Sequence, residues 1–285
     1  MCIGAAKSAT TSLYDILRQH SNVYLPSFKE PHFFDNPDNY DKGIAWYSKT
    51  YFSRALKQNK IGDFTPTYLF ESKAAERIYK DLGPNTRFII ILRDPVERAY
   101  SHYLHSKRDQ NETLSFFDAL EKEKSRIQSS YLDKLRFSYI SQGLYYNMLK
   151  EYFKFFPKNN FLIISFEDEF VKKTKETIDN IFDFLDVKKQ NLDINIISNK
   201  ASKARYLWLK RIMKKKGWWR SAIKFALPSL KVRQIIRNKI HRANLRAYTP
   251  KRLSDYDKKI IFDRYFMDDV NSLEIMLKRK MNWNK

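Results

Sequence analysis

Short apolar runs alternate with amphipathic stretches over the first two-thirds of the chain. Two of these runs carry apolar side chains at consecutive positions, and such runs are typical of parallel strands that are covered on both faces. The predicted strands are Met1–Gly4, Val23–Leu25, Lys60–Asp63, Arg87–Leu92 and Asn160–Phe166.

Between these strands, apolar positions recur at the three- and four-residue spacing of amphipathic helices. The predicted helices are Thr11–Gln19, Ala45–Tyr51, Ala74–Leu82, Val96–Ser106, Leu144–Phe156 and Thr174–Leu185. Strands that alternate with helices predict an α/β fold with a central parallel sheet flanked by helices, which binds its ligands at the carboxyl ends of the strands. After about residue 200 the pattern is wholly helical and ends in a helix over Tyr256–Lys280. We expect a single domain over residues 1–285 with a basic helical excursion at about residues 200–250.

The positive charge of the chain is concentrated in one segment. The net charge is +22, yet residues 194–254 contain 18 Lys and Arg and no Asp or Glu, and the remainder has 36 basic against 32 acidic residues. Such a basic block predicts a polyanionic partner, namely nucleic acid, an anionic membrane or an acidic polysaccharide. Because its cations alternate with aromatic and aliphatic residues, three interpretations remain open: a membrane-surface contact, a docking face for an anionic saccharide, and a solvated helical cover.

The cysteine content and the hydropathy of the sequence exclude several classes of protein. The single cysteine, Cys2, excludes an intrachain disulfide and a cysteine zinc cluster. No apolar run approaches the roughly 20 residues of a membrane span, and no signal peptide precedes the first motif. We therefore expect a cytoplasmic protein, with peripheral membrane contact if the basic block has that role. His102 and His105 lie three residues apart without a nearby carboxylate or Cys cluster, so we expect no metal site.

The first candidate for chemistry is the turn that follows the first predicted strand. Residues 3–13 read Ile-Gly-Ala-Ala-Lys-Ser-Ala-Thr-Thr-Ser-Leu, and small residues before a helix let backbone amides approach an anion. Lys7 follows Gly4 by three positions with no second glycine, so the pattern departs from the Mg-nucleotide P-loop. The turn predicts either a phosphate site or a helix start capped by Ser and Thr.

A second candidate lies where the fourth predicted strand ends. Arg93 closes that strand, Asp94 can cap the following helix, and Pro95 suits its first turn. The guanidinium of Arg93 suits phosphate, and Ser101 follows two helical turns later. The alternative is that Arg93 forms a structural ion pair with Asp94 or Glu97.

A third candidate is the loop of residues 29–35, Lys-Glu-Pro-His-Phe-Phe-Asp. Pro31 is expected to hold Glu30 in an extended conformation, which would place the side chains of Glu30 and His32 on one side of the chain. Two titratable groups beside a phosphate site are candidate general bases. The alternative is a solvated charged loop.

Together these three segments resemble the sulfotransferases that use 3′-phosphoadenosine 5′-phosphosulfate (PAPS). Residues 7–13 resemble the family's 5′-phosphosulfate loop, and residues 92–101 resemble its 3′-phosphate element. Residues 30–34, Glu-Pro-His-Phe-Phe, are similar to the branch that acts on heparan-type glycosaminoglycans. The resemblance covers about residues 1–190 and again the last helix, and it implies the P-loop-like α/β fold of that family.

The resemblance implies transfer of a sulfuryl group from PAPS to a hydroxyl or amino group of a carbohydrate, without a metal. Glu30 would take the proton of the acceptor, His32 would orient Glu30 or the acceptor, and Lys7 would neutralise charge on the leaving oxygen. The implied nucleotide contacts are Lys7, Ser8, Ala9, Thr10, Thr11 and Ser12 at the 5′ end, and Arg93 and Ser101 at the 3′-phosphate. Arg246, just before the final helix, is a further candidate for the 3′-phosphate because of its position.

Two positions depart from the family pattern. Ala9 stands where the loop usually has Gly, and Phe64 stands where the glycosaminoglycan branch has Lys, so the sugar specificity stays open. The alternative functions are sulfuryl transfer to a lipid or protein acceptor, and binding of a polyanion by a protein with a relic nucleotide site. Nucleic-acid binding explains the charge but leaves the three motifs unexplained, so nucleic acid is not the expected main partner. A nucleotide kinase would require Mg and ATP.

Overall fold

The computed structural model of the chain describes residues 1–55, 58–196, 202–204, 245–247 and 251–283. Its central sheet has three parallel strands in the order β1-β4-β5, and a separate parallel pair joins β2 to β3. These five strands are β1 Cys2–Gly4, β2 Val23–Tyr24, β3 Lys60–Ile61, β4 Phe88–Leu92 and β5 Phe161–Ser165. The predicted α/β fold with a central parallel sheet is confirmed.

Backbone hydrogen bonds extend the sheet beyond β1. The segment that follows β3 runs beside β1, where the Cys2 amide donates to the Asp63 carbonyl at 2.8 Å and the Thr65 amide donates to the Cys2 carbonyl at 3.1 Å. Residues 63–65 therefore occupy the edge of the sheet next to β1.

Helices cover the sheet, and the first ten follow the chain from residue 10 to residue 185. They are α1 Thr10–Leu17, α2 Pro37–Tyr40, α3 Gly43–Tyr47, α4 Ala74–Leu82, α5 Pro95–Arg108, α6 Phe116–Glu121, α7 Glu123–Arg126, α8 Tyr131–Phe137, α9 Tyr145–Tyr152 and α10 Thr174–Leu185. Two π-helical turns, Ser48–Phe52 and Phe166–Val171, follow α3 and β5. The six helices predicted up to residue 185 are all present, and α2 and α6–α8 were not predicted.

The core lies on both faces of the sheet, and β4 separates the two halves. All five residues of β4 are buried. Phe88, Ile90 and Leu92 pack into one cluster with α4, α5, α9 and the C-terminal helices, whereas Ile89 and Ile91 pack into the other with α1 and α10. This alternation of faces explains why the strand is apolar throughout.

The prediction of wholly helical structure after about residue 200 is wrong at two places. Ser202–Ala204 (β6) and Leu245–Ala247 (β7) form an antiparallel pair. The predicted helix Tyr256–Lys280 is two helices, α11 Asp255–Tyr265 and α12 Met267–Leu277. The break falls at Phe266, which leaves helical geometry and buries its ring completely.

The chain divides into two compact units, residues 1–198 with 253–285, and residues 199–252. The central sheet, the β2–β3 pair and helices α1–α12 belong to the first unit, and β6 and β7 belong to the second. The predicted single domain with an excursion at about residues 200–250 stays a prediction. Within the described ranges, no helix combines the length and the apolar character that crossing a membrane requires.

Candidate active site

The loop of residues 5–9 connects β1 to α1 and leaves the start of that helix open. The Ala5 amide donates to the Ile91 carbonyl at 2.8 Å, which fixes the loop beside β4. Lys7 and Ala9 both have positive φ, at 72° and 58°. Ala9 is the N-cap residue of α1, and no side chain caps the helix there. An uncapped helix start presents backbone N–H groups to an external acceptor, so the alternative of a capped start is wrong.

The conformation of Ala9 is one that glycine, the residue expected here from the resemblance, adopts without strain. A left-handed conformation costs a residue with a Cβ on the order of 1 kcal/mol, whereas Gly adopts it freely. The chain therefore keeps the loop geometry at position 9 with a strained alanine.

Two buried polar atoms of this region have no hydrogen-bond partner among the described residues. They are the Ser8 hydroxyl oxygen, on a fully buried side chain, and Nε of Arg93. Buried polar groups nearly always have a partner. Because both atoms are donors and both belong to the segments that resemble phosphate-binding elements, the residues of this site fit the phosphate groups of PAPS.

The other loop residues lie at the start of α1. Thr10 and Ser12 are buried, and Thr11 is half-buried. The structure thus places all of the predicted 5′ residues in one turn, from Lys7 to Ser12.

Lys7 lies among charges that come from three parts of the chain. Burial and the charges of Arg108 and Arg93 together lower the pKa of Lys7 to about 8, while the charges of Asp109 and Glu30 oppose them. A bound anion would favour the protonated amine and raise this pKa again. A negatively charged ligand would therefore stabilise the charged form of Lys7.

Arg93 ties the end of β4 to the loop. Its Nη1 donates to the Lys7 carbonyl at 3.1 Å, and its guanidinium lies 5.0 Å from the centre of the Phe166 ring. Its Nη2 is 3.6 Å from a carboxylate oxygen of Glu97. The alternative of an ion pair with Glu97 is therefore present as well, at a distance longer than a hydrogen bond, while Nε keeps no partner within the described part of the chain.

Asp94 and Pro95 start α5 as the sequence predicts. An Asp94 carboxylate oxygen accepts from the amides of Val96 at 2.8 Å and Glu97 at 3.0 Å, and Pro95 occupies the first turn. Ser101 is half-buried two turns further along the same helix. One rigid helix therefore carries Ser101 and begins next to Arg93.

The loop of residues 29–35 differs from its predicted conformation. Glu30 and His32 have positive φ, 63° and 50°, so the predicted extended conformation at Glu30 is wrong. The Asn39 amide nitrogen donates to the His32 carbonyl at 2.9 Å, and the Phe33 amide donates to the Tyr68 hydroxyl at 3.0 Å. These contacts hold the loop in a turn, with Phe33 fully buried.

A chain of polar contacts nevertheless joins Glu30 to a buried aspartate. Nε2 of His32 is 3.7 Å from a Glu30 carboxylate oxygen, and its Nδ1 is 2.9 Å from a carboxylate oxygen of Asp35. The Thr67 hydroxyl donates to the same Asp35 oxygen. Burial alone would lower the pKa of His32, but the hydrogen bond and charge of Asp35, with the charge of Glu30, raise it. His32 is therefore held between two carboxylates.

Sequence reasoning assigned no role to two residues beside this network. The Lys29 ammonium donates to Glu30 at 2.5 Å, and the Lys29 side chain is 15% exposed. The second is Thr67, which orients Asp35. The sequence could have pointed to Lys29, because it is adjacent to Glu30. Thr67 is 32 residues from Asp35, so no local pattern connects Thr67 with Asp35.

Two positions that the sequence analysis singled out, 246 and 64, have no described contact with this site. Arg246 lies in β7 opposite Lys203, and its side chain lies outside the described residues. Phe64 is 3% exposed and packs edge-on against Tyr14, so this position belongs to the core in this chain.

The histidine pair on α5 is structural. His102 is buried against the Tyr139 ring, and His105 pairs with Asp109 at 3.6 Å. Among the described residues, no three His, Cys, Asp or Glu side chains are grouped as a metal site would require.

The fold and the site define an α/β protein with an uncapped helix start after the first strand, an arginine at the end of the neighbouring strand, and a carboxylate–histidine network. The family model of the sulfotransferase domain matches residues 1–240. The chain belongs to the sulfotransferase domain family.

Individual relatives agree with this assignment. The chain is 32% identical to mouse heparan sulfate glucosamine 3-O-sulfotransferase 3B1 over 199 residues, 70% of this chain and 48% of the relative. It is 30% identical to mouse heparan sulfate glucosamine 3-O-sulfotransferase 6, over 70% of this chain and 55% of that protein. The chain thus spans about half the length of these curated relatives. The solved structure of a sulfotransferase from Alicyclobacillus acidocaldarius matches 98% of this chain and 95% of its own, with 26% identity and a TM-score of 0.69.

Proposed function

We propose that this chain transfers a sulfuryl group from PAPS to a hydroxyl or amino group of a carbohydrate acceptor. The observation that carries the proposal is that Lys7 interacts with both of the other two elements. Its carbonyl accepts a hydrogen bond from Arg93, and the charge of Glu30 acts on its ammonium. A nucleotide anion held at the loop would therefore lie near a candidate base and near an arginine.

The residues divide between the two ends of the nucleotide. Lys7, Ser8, Ala9, Thr10, Thr11 and Ser12 would hold the 5′ end through the ammonium, the hydroxyls and the amides of the uncapped helix start. Arg93 and Ser101 would hold the 3′-phosphate, and Arg246 remains a candidate from its sequence position alone. PAPS supplies the activated sulfuryl group, and the family membership of the chain supports it as co-substrate.

Glu30 would act as the general base. Its carboxylate takes the proton of the acceptor as the acceptor oxygen or nitrogen forms a bond to sulfur. The bond between sulfur and the phosphate oxygen then breaks, and its electron pair goes to that oxygen. The Lys7 ammonium neutralises the charge that develops there. His32, held by Asp35, would orient Glu30.

The relatives support a carbohydrate acceptor, because their names describe transfer to the glucosamine of heparan sulfate. The block of 18 Lys and Arg at residues 194–254 supports an acceptor or a surface of negative charge. A cytoplasmic location with peripheral membrane contact remains a prediction from the sequence.

The proposal is tested by transfer of radioactive sulfate from labelled PAPS to heparan sulfate. Glu30→Gln should lower transfer by about 100-fold or more, because a general base contributes on that order. Its affinity for the product nucleotide adenosine 3′,5′-bisphosphate (PAP) should stay within about twofold of the wild type. Glu176→Gln is the matched control, since this carboxylate is 63% exposed on α10.

Near-normal transfer by Glu30→Gln would contradict the assignment of the base. PAP binding without transfer to heparan sulfate would contradict this acceptor and point to a lipid or protein. Polyanion binding by a protein with a relic nucleotide site predicts a different result, namely steep loss of affinity with salt and no effect of PAP.

A further inference from the structure

The peptide group between Arg93 and Asp94 joins β4 to α5, and side chains from elsewhere hold both of its polar atoms. The Tyr145 hydroxyl donates to the Arg93 carbonyl at 2.8 Å. The Asp94 amide donates to a carboxylate oxygen of Glu167 at 3.0 Å. Tyr145 begins α9 and Glu167 follows β5, so two separate elements fix this one peptide plane.

Trp283, near the end of the chain, contacts both of these side chains. Its indole Nε1 donates to the second carboxylate oxygen of Glu167 at 3.1 Å. Its ring lies 5.7 Å from the ring of Tyr145, at an angle of 53°. Trp283 is 9% exposed, and its contacts therefore limit the movement of both anchors.

A second contact connects the C-terminal helices to Arg93. Lys258 on α11 pairs with Glu97 at 3.0 Å, and Glu97 is the carboxylate 3.6 Å from the Arg93 guanidinium. Lys258 and Arg93 therefore contact different oxygen atoms of the same Glu97 carboxylate. The Glu97 carboxylate thus lies between Lys258 and Arg93, and the Arg93 Nε has no partner among the described residues.

We propose that Trp283 is a positioning residue that sets the orientation of Arg93 through Glu167 and Tyr145, and so sets the preference of the site for a 3′-phosphorylated nucleotide. The inference rests on the proposed function, in which Arg93 binds the 3′-phosphate. A guanidinium binds phosphate through paired hydrogen bonds of fixed direction. A small tilt of the 93–94 peptide therefore weakens the 3′ contact more than the 5′ contacts, since the loop is also held by the hydrogen bond from the Ala5 amide to the Ile91 carbonyl.

The test compares two nucleotides that differ only in the 3′-phosphate. Dissociation constants for PAP and for adenosine 5′-monophosphate (AMP) are measured by calorimetry on the full chain. Tyr145→Phe removes only the hydroxyl, and Trp283→Phe removes the indole N–H. Each variant should weaken PAP by about fivefold to tenfold, the usual effect of losing one buried hydrogen bond, while AMP changes by less than about twofold.

The matched control is Tyr152→Phe on the same helix α9. This fully buried tyrosine also loses a hydrogen bond to a backbone carbonyl, in this case that of Tyr68 at 2.9 Å. Its PAP-to-AMP preference should equal that of the wild type. A merely structural role of Trp283 would give all three variants the same preference.

The outcomes separate the inference from the proposed function. A wild type that binds PAP no more tightly than AMP would contradict the proposed function itself. A wild-type preference that persists in folded Tyr145→Phe and Trp283→Phe would overturn the inference alone. If Trp283→Phe fails to fold, the Tyr145→Phe result decides, because it removes one oxygen atom and leaves the ring packing in place.

Discussion

Replacing Lys7 with methionine is expected to stabilise the ligand-free protein while it removes nucleotide binding. Burial, with the charge of Arg108, lowers the pKa of Lys7 from 10.5 to about 8. At about 1.4 kcal/mol per pKa unit, this fall corresponds to a cost of about 3 kcal/mol for holding the ammonium in the folded protein. Methionine fills a similar volume without that charge, so Lys7→Met should recover much of this cost at pH 7.

The cost of Lys7 depends on pH in a definite direction. Below pH 8 the folded and unfolded chains both hold the proton, so the cost is present in full. Between about pH 8 and the unperturbed value of 10.5, the unfolded chain binds more protons, and the free energy of unfolding rises with pH. Wild-type stability should therefore gain a contribution in this window that Lys7→Met lacks.

The assay is thermal unfolding of the wild type and the variant at pH 7, without nucleotide. A gain of about 3 kcal/mol should raise the midpoint by several degrees in a chain of this size. Lys175→Met, at an exposed position on α10, is the control and should shift the midpoint little. A lower midpoint for folded Lys7→Met would refute the reasoning, because it would show that the ammonium stabilises the empty site.

Three further changes test neighbouring parts of the site. Asp35→Asn removes the hydrogen bond and the charge that raise the pKa of His32, so that pKa should fall. An NMR titration that finds it unchanged would contradict the network. Glu97→Gln removes the negative charge that lies 3.6 Å from the Arg93 guanidinium. Calorimetry should therefore find PAP binding tighter by about twofold to fivefold. Weaker binding would show instead that Glu97 orients the guanidinium. Gly143→Ala places a Cβ 2.8 Å from the ring of Phe266 and should cost about 1–3 kcal/mol in chemical denaturation; an unchanged midpoint would show that the ring moves aside freely.

The five strands of the first two-thirds of the chain follow from local sequence because burial makes them visible. Residues 88–92 are apolar at every position since both faces of β4 pack against helices. β6 and β7 were missed because each has three residues, and their pairing joins positions about 40 residues apart. The break at Phe266 was missed because its cause is tertiary, namely the burial of a ring that packs against Gly143.

The candidate site likewise has features that the sequence predicts and features that it does not. The place of the turn before α1 and that of Arg93 follow from local pattern, since both lie at the ends of strands that the sequence marks clearly. Whether the helix start is capped stayed open in the sequence. The positive φ of Glu30 was not predictable, because contacts with distant residues such as Asn39 and Tyr68 hold the loop. The anchoring by Trp283 was also invisible, because Glu167 and Tyr145 meet it only in the folded chain.

The central claim is that Lys7 and Arg93 form one nucleotide site, and thermal unfolding with PAP tests it most directly. At about 100 times its dissociation constant, PAP should add about 2.7 kcal/mol to the stability of the wild type and raise its midpoint by several degrees. Lys7→Met and Arg93→Met should each lose most of this PAP-induced rise, whatever their midpoints without PAP. The absence of a rise in the folded wild type, or an equal rise in both variants, would contradict the account.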